Sequence, residues 1–355
     1  MRYDFQLPLI GDFLQKHNIS NVGLQFPEGL LVYAFNLSTT IEDSFNVTCC
    51  ILGDDCYGAC CIDDRLVESM SLGGIIHFGH SQLFQSHALC VPALYVKAVV
   101  QVDTDSHLPE RIMDSILNHP LSPSDQTLVV LTCTTQFTTL TSMVGDVLTQ
   151  KGYNVSIPQA SPNLSYGECL GCTVPRIPND NALIIYIGDG RFHLEALAMH
   201  NPDISILRYD PFTHHLSLQQ LDVASLKAQR KEAINKIILK ETLNLGLVVS
   251  TLGRQGSDGV CRRLSQLAKR QSHVEVIEFS VRDISSSFVD SVTPHVDALV
   301  IIGCPRLPLD WGTEFDLLML TTHEAYSLLS GNNSEKEYIP MDNFSVGCGP
   351  WANLF

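Results

Sequence analysis

Apolar runs of strand length recur along the chain, separated by stretches whose apolar residues return at helical spacing. The clearest runs are Val22–Phe26, Val47–Leu52, Gly74–Phe78, Leu94–Val99, Thr127–Leu131, Ala182–Ile187, Leu245–Val249, Val274–Phe279 and Ala298–Ile302. They are near-continuous in apolar residues rather than alternating, which is the pattern of strands covered on both faces. Leu7–His17, Thr138–Gly152 and Gly256–Gln271 fit intervening helices. Strand, helix, strand in succession predicts βα units with parallel sheets, an α/β fold. Leu221–Leu243 reads as one long amphipathic helix. Lys227, Arg230, Lys231, Lys236 and Lys240 lie largely off its apolar face. That row is either a solvated face or a docking surface for an acidic segment.

Chemistry-bearing residues follow the strands, where open α/β sheets form ligand crevices. An internal repeat emerges there. Gln25, Gln136 and Gln255 follow strong apolar runs, and Cys60, Cys172 and Cys304 come 35, 36 and 49 residues after them. The three cysteines are 112 and 132 residues apart, so no local motif joins them. His77-Phe78-Gly79-His80 and Gly188-Asp189-Gly190-Arg191 form a second echo. The simplest account is three related α/β domains, spanning 1–102, 103–213 and 214–355, that carry Cys60, Cys172 and Cys304 respectively.

Composition narrows the function. With 355 residues, 45% hydrophobic and 17% charged, the chain is globular rather than disordered. A formal net charge of −16 argues against direct nucleic-acid binding. The start, Met1-Arg2-Tyr3-Asp4-Phe5, has no apolar leader, and no run long enough for a membrane span occurs. Twelve cysteines in a large chain point to the reducing cytoplasm, with thiols free or metal-bound.

Several arrangements of those thiols are open from spacing. A zinc site could use Cys56, Cys60, Cys169 and Cys172, although Cys56-x3-Cys60 is a poor partner for Cys169-x2-Cys172. A [4Fe-4S] cluster would need dispersed ligands, because Cys-x3-Cys-x2-Cys is broken by Asp63; three thiolates would leave one iron open. A non-catalytic scaffold with inert thiols is the third possibility. Cys49, Cys50, Cys90, Cys133, Cys261 and Cys348 are expected to be inert, as buried thiols generally are. Arg191 could grip a carboxylate. Thr251-Leu252-Gly253-Arg254-Gln255-Gly256 lacks the Lys-Ser/Thr of a P-loop, and no Gly-x-Ser-x-Gly elbow occurs.

Six ordered motifs add a resemblance. Gln25-Phe26-Pro27-Glu28-Gly29-Leu30, Tyr57-Gly58-Ala59-Cys60-Cys61-Ile62-Asp63-Asp64, His77-Phe78-Gly79-His80-Ser81, Gly188-Asp189-Gly190-Arg191-Phe192-His193, Thr251–Gly256 and Cys304-Pro305-Arg306-Leu307 resemble those of the 2-(3-amino-3-carboxypropyl)histidine synthases. These are the first-step enzymes of diphthamide biosynthesis. The match runs from about Val22 to Gly349-Pro350-Trp351. Cys60-Cys61-Ile62-Asp63-Asp64 resembles the catalytic, subunit 1 type, from which the short stretch before the first motif departs.

The resemblance implies three similar domains in a triangular arrangement around one central [4Fe-4S] cluster held by Cys60, Cys172 and Cys304. It implies a non-standard radical reaction that transfers the 3-amino-3-carboxypropyl group of S-adenosylmethionine. The acceptor is imidazole C2 of a histidine in translation elongation factor 2. Implied partners are a related or identical second subunit and an external electron donor. Gln25, His77, Asp189, Arg191, His193 and Gln255 are the expected polar contacts to S-adenosylmethionine.

Overall fold

Three mainly parallel sheets carry the chain among the described residues, and in each the first four strands are ordered second–first–third–fourth. The computed structural model describes residues 2–54, 56–101, 107–178, 181–312, 314–331 and 336–353. A short strand β1 (Arg2–Asp4) comes first, followed by β2 (Asn21–Gln25), β3 (Thr48–Leu52), β4 (Ile75–Phe78), β5 (Ala93–Val96) and β6 (Val99–Gln101). Strands β2 to β5 form the first sheet, ordered β3-β2-β4-β5 and parallel throughout. Strands β1 and β6 pair antiparallel, apart from it.

The second sheet holds β7 (Leu128–Cys133), β8 (Asn154–Ser156), β9 (Ala182–Ile187), β10 (Ser205–Asp210) and β11 (His215–Gln219), ordered β11-β10-β9-β7-β8. Only its last strand is antiparallel. The third holds β12 (Leu243–Ser250), β13 (Val274–Val281), β14 (Ala298–Ile302) and β15 (Leu318–Leu320), ordered β13-β12-β14-β15 and parallel.

The central strands are the apolar runs. Every residue of β4 and β14 is buried. Their side chains pack against helices on both faces, each fully buried Leu or Ile worth about 1.5–3 kcal/mol. In the first sheet Phe26 stacks on Phe78, ring centroids 4.4 Å apart and planes parallel. Two further cores form around Leu131, Ile185 and Tyr209 in the second sheet and around Leu247, Val300 and Ile302 in the third.

Two expected elements differ. Leu94–Val99 is not one strand: Ala98 takes a left-handed conformation (φ 51°), so β5 ends at Val96 and the chain turns away to pair with β1. The long helix expected over Leu221–Leu243 covers Val223–Ile238, because Leu243 is claimed by β12, where it pairs with Val274. Sheet pairing wins over local helical preference there.

The chain divides into two compact units. Unit one comprises Met1–Leu170, Ile177–Gly190 and Ile204–Gln219 and carries the first two sheets; unit two comprises Gly171–Arg176, Arg191–Asp203 and Gln220–Phe355 and carries the third. The second sheet continues past residue 213 through β11. Val102, at the first expected boundary, lies outside the described residues. Among the described residues no helix is long and apolar enough to cross a membrane.

Candidate functional site

The ends of first and third strands in each sheet face one another where the strand order reverses, and the repeated glutamines lie there. In the first sheet Gln25 closes β2 and meets His77 of β4: Oε1 is 2.9 Å from Nδ1. In the second, Gln136 donates to Asp189 Oδ1 at 2.9 Å. In the third, Gln255 Oε1 accepts from Ser250 Oγ at 3.4 Å and sits across from Gly303, the residue before Cys304.

In unit one, Cys60 belongs to a short 3-10 turn, Ala59–Cys61, in the loop after β3. Cys61 is fully buried, and its carbonyl accepts from Gln25 Nε2 at 2.9 Å. The buried Cys56 thiol lies 4.0 Å from His77 Nε2, which in turn is 2.9 Å from His80 Nδ1. Hydrogen bonding between the Cys56 and Cys61 thiols raises the former well above its usual range and lowers the latter. Burial pushes His77 well below its ordinary pKa and His80 to about 4, so both imidazoles are neutral at pH 7. Gly79 makes the pair possible. Its φ of 83° turns the chain so that His77 and His80 meet, and a Cβ there would stand 2.9 Å from Pro27 Cγ.

Cys169 does not join Cys56. It is buried beside the end of β7, its N–H donating to the Cys133 carbonyl at 2.9 Å and its thiol facing the Gly167 carbonyl at 3.8 Å, and burial raises its pKa well above the ordinary value. The four-cysteine zinc arrangement therefore fails within unit one. Among the described residues the metal-competent group of three is Cys56, His77 and His80.

In unit two, a clamp surrounds Cys172. Asn343 N–H donates to the Cys172 carbonyl at 3.1 Å, Val174 N–H to the Met341 carbonyl at 2.9 Å, and Phe344 N–H to Thr173 Oγ1 at 3.0 Å. Cys304 directly follows β14 and Gly303, whose carbonyl lies 3.5 Å from Asn343 Nδ2. Two residues on, Arg306 is 3% exposed. It donates to Asp310 (3.0 and 3.1 Å), the Phe192 carbonyl (2.6 Å) and Glu195 (2.8 Å), with its guanidinium over the Phe192 ring. The Cys304 turn is thereby fixed to the helix Phe192–His200. A cavity of about 330 Å³ adjoins Pro305, lined among others by Lys227, Arg230, His323, Lys336 and Trp351.

The remaining expected contacts fall into two groups. Gln25, His77 and Gln255 are buried, whereas Asp189 and Arg191 are exposed and His193 is half-buried. Arg191 lies 3.4 Å from Glu195. The expected docking row, of which Lys240 falls beyond the helix Val223–Ile238, is largely committed within the chain. Arg230 is forked onto Glu324, Lys227 donates to the Lys336 carbonyl, Lys236 pairs with Glu232 and Lys240 with Asp297. Of the thiols expected to be buried and inert, Cys90 is exposed and Cys49, Cys50 and Cys348 are half-buried. Asn343 carried no site signal in the sequence, since its contact with Cys172 is made far along the chain, whereas His80 was marked by the His77-Phe78-Gly79-His80 echo.

Residues 26–339 match the sequence model of the diphthamide synthesis proteins. The chain belongs to that family. Relatives named 2-(3-amino-3-carboxypropyl)histidine synthase subunit 1 align over nearly its whole length. The Bos taurus protein is 36% identical over 99% of this chain and 77% of its own length, and that of Dictyostelium discoideum is 34% identical over 96% and 71%. The diphthamide synthesis fold is also seen in the crystal structure of Dph2 from Pyrococcus horikoshii with a 4Fe-4S cluster. That structure is similar with a TM-score of 0.75 and 25% identity, covering 96% of this chain and 94% of the other.

Proposed function

We propose that the chain is the catalytic subunit of a diphthamide first-step synthase. It transfers the 3-amino-3-carboxypropyl group of S-adenosylmethionine to imidazole C2 of a histidine in translation elongation factor 2. The observation that carries this reading is the set of three cysteines Cys60, Cys172 and Cys304, each in a loop with glycine close before it. They occur in a chain whose fold is similar to a protein crystallised with a 4Fe-4S cluster.

The residues fit such a cluster. Thiolates are its usual ligands, and three of them leave one iron free for substrate. The backbone around two of the three is held tightly by Asn343 and Arg306. When bound, the cluster would supply the single electron that makes the sulfonium a leaving group, breaking Cγ–S. The protein's own residues do the rest. Asp189, Arg191 and His193 contact the co-substrate, the Arg191 guanidinium donating to the carboxylate of S-adenosylmethionine. Gln25, His77 and Gln255, being buried, position the loops that carry the thiols. Buried aliphatic side chains beneath the strand ends keep water from the reacting carbon. The reaction takes place in the cytoplasm with a related or identical second subunit and an external electron-donor protein, without direct contact to nucleic acid or membrane.

Anaerobic purification tests the reading. The expected product is a brown protein with about four irons and four sulfides per cluster, and it releases methylthioadenosine from S-adenosylmethionine when reduced with elongation factor 2 present. Cys60→Ala, Cys172→Ala and Cys304→Ala should each abolish the iron–sulfur absorbance. A colourless wild type, or full absorbance in the Cys304 variant, overturns it.

A further inference from the structure

We propose that Cys56, His77 and His80 form a separate metal site that takes one Zn²⁺ beside the cysteine assigned to the cluster. Their donor atoms lie within 4.8 Å of one another. A tetrahedral zinc with Zn–S near 2.3 Å and Zn–N near 2.0–2.1 Å needs donors roughly 3.3–3.6 Å apart. The observed Cys56 Sγ to His77 Nε2 distance is 4.0 Å, and His77 Nε2 to His80 Nδ1 is 2.9 Å. Side-chain shifts of about an ångström convert one arrangement into the other.

The proton positions favour the same reading. Gln25 Nε2 donates to the Cys61 carbonyl, which leaves Gln25 Oε1 facing His77 Nδ1. An amide oxygen only accepts, so His77 carries its hydrogen on Nδ1. Its lone pair is then on Nε2, the atom turned toward Cys56 and His80. This is how metal-binding histidines are usually oriented, one ring nitrogen held by an outer acceptor and the other aimed at the ion. As zinc binds, His80 moves its hydrogen to Nε2 and Cys56 gives up its thiol proton, so one proton is released. One thiolate and two imidazoles select zinc over magnesium or calcium. With His77 fully buried and Cys56 6% exposed, the donors have little competing water. Three ligands leave a fourth position open.

Zinc and iron measured together on the full chain, purified anaerobically from zinc-supplemented cells, test this. One zinc per chain is expected. Cys56→Ser and His80→Asn should each lower zinc at least tenfold and leave iron unchanged, and Cys304→Ala should keep the zinc. Zinc absorption-edge spectroscopy of the wild type should report one sulfur and two imidazole nitrogens, a readout that survives if either variant misfolds. The proposal is overturned by wild type without zinc, by zinc in an all-sulfur shell, or by zinc that disappears with the Cys304 thiol. Iron content reports separately on the cluster, so the two readings fail independently.

Discussion

Asn343 holds Cys172 by the backbone: its N–H donates to the Cys172 carbonyl at 3.1 Å, while its side-chain amide reaches the Gly303 carbonyl at 3.5 Å. One buried residue thus spans the loops of two thiols assigned to the cluster. Asn343→Ala keeps the first bond and loses the second, at a cost of about 1 kcal/mol in unfolding free energy. The urea midpoint should fall accordingly and iron per chain should drop. Asn343→Asp should be worse, because it turns a carboxylate toward a carbonyl. Unchanged stability and iron in both variants would show that the amide has no part in holding the loops.

Gly171 leaves room for Phe192. A Cβ at position 171 would stand 1.9 Å from the Phe192 ring, which also carries the Arg306 guanidinium above it. Gly171→Ala should therefore displace the ring and destabilise by about 1–3 kcal/mol. Adding Phe192→Ala removes the clash, so the double variant should be more stable than additivity predicts. Thermal unfolding of the four-member cycle measures this, and strict additivity would disprove the contact.

Arg306 satisfies two carboxylates and a carbonyl from a site 3% exposed. Glu195 and Asp310 are partly solvated, so their unpairing is milder than in a dry core. Arg306→Ala should cost about 2–3 kcal/mol. Arg306→Lys should recover little of it, because an ammonium cannot reproduce the fork. Denaturant unfolding decides; full recovery by lysine would show that charge alone matters.

His200 makes stability fall on mild acidification. Its Nδ1 accepts from the Met341 N–H at 2.9 Å, and burial lowers its pKa to about 4. Unfolded, the same imidazole titrates near 6.5. Between those values the unfolded chain binds a proton that the folded chain does not. The stabilisation is therefore complete above about pH 6.5 and is lost as pH falls toward 4, on the order of 3 kcal/mol. His200→Gln, which keeps an acceptor and does not titrate, should make stability fall less steeply in that window, leaving the contributions of His77, His80 and His323. An unaltered slope would refute the assignment.

The sequence alone marked the central strands, though not others such as β8, β10, β11 and β15. Ala182–Ile187 and Ala298–Ile302 are strands with the bounds their apolar runs predict, because a parallel strand covered on both faces must be apolar throughout. Gln25 at the end of β2 and Cys304 just past β14 were legible for the same reason, whereas Cys60 lies further along the loop after β3 and Cys172 has no strand leading into it. Most of what Cys56, His80, Asn343 and Arg306 touch was not legible. His80 meets His77 and Arg306 meets Asp310 within a turn or so of chain, but the contacts of Cys56 with His77, of Asn343 with Cys172 and of Arg306 with Phe192 join distant positions that no local spacing encodes. Tertiary pairing also ended the helix at Ile238 and turned the chain at Ala98, since sheet hydrogen bonds outweigh the small differences in local propensity that a sequence pattern reports.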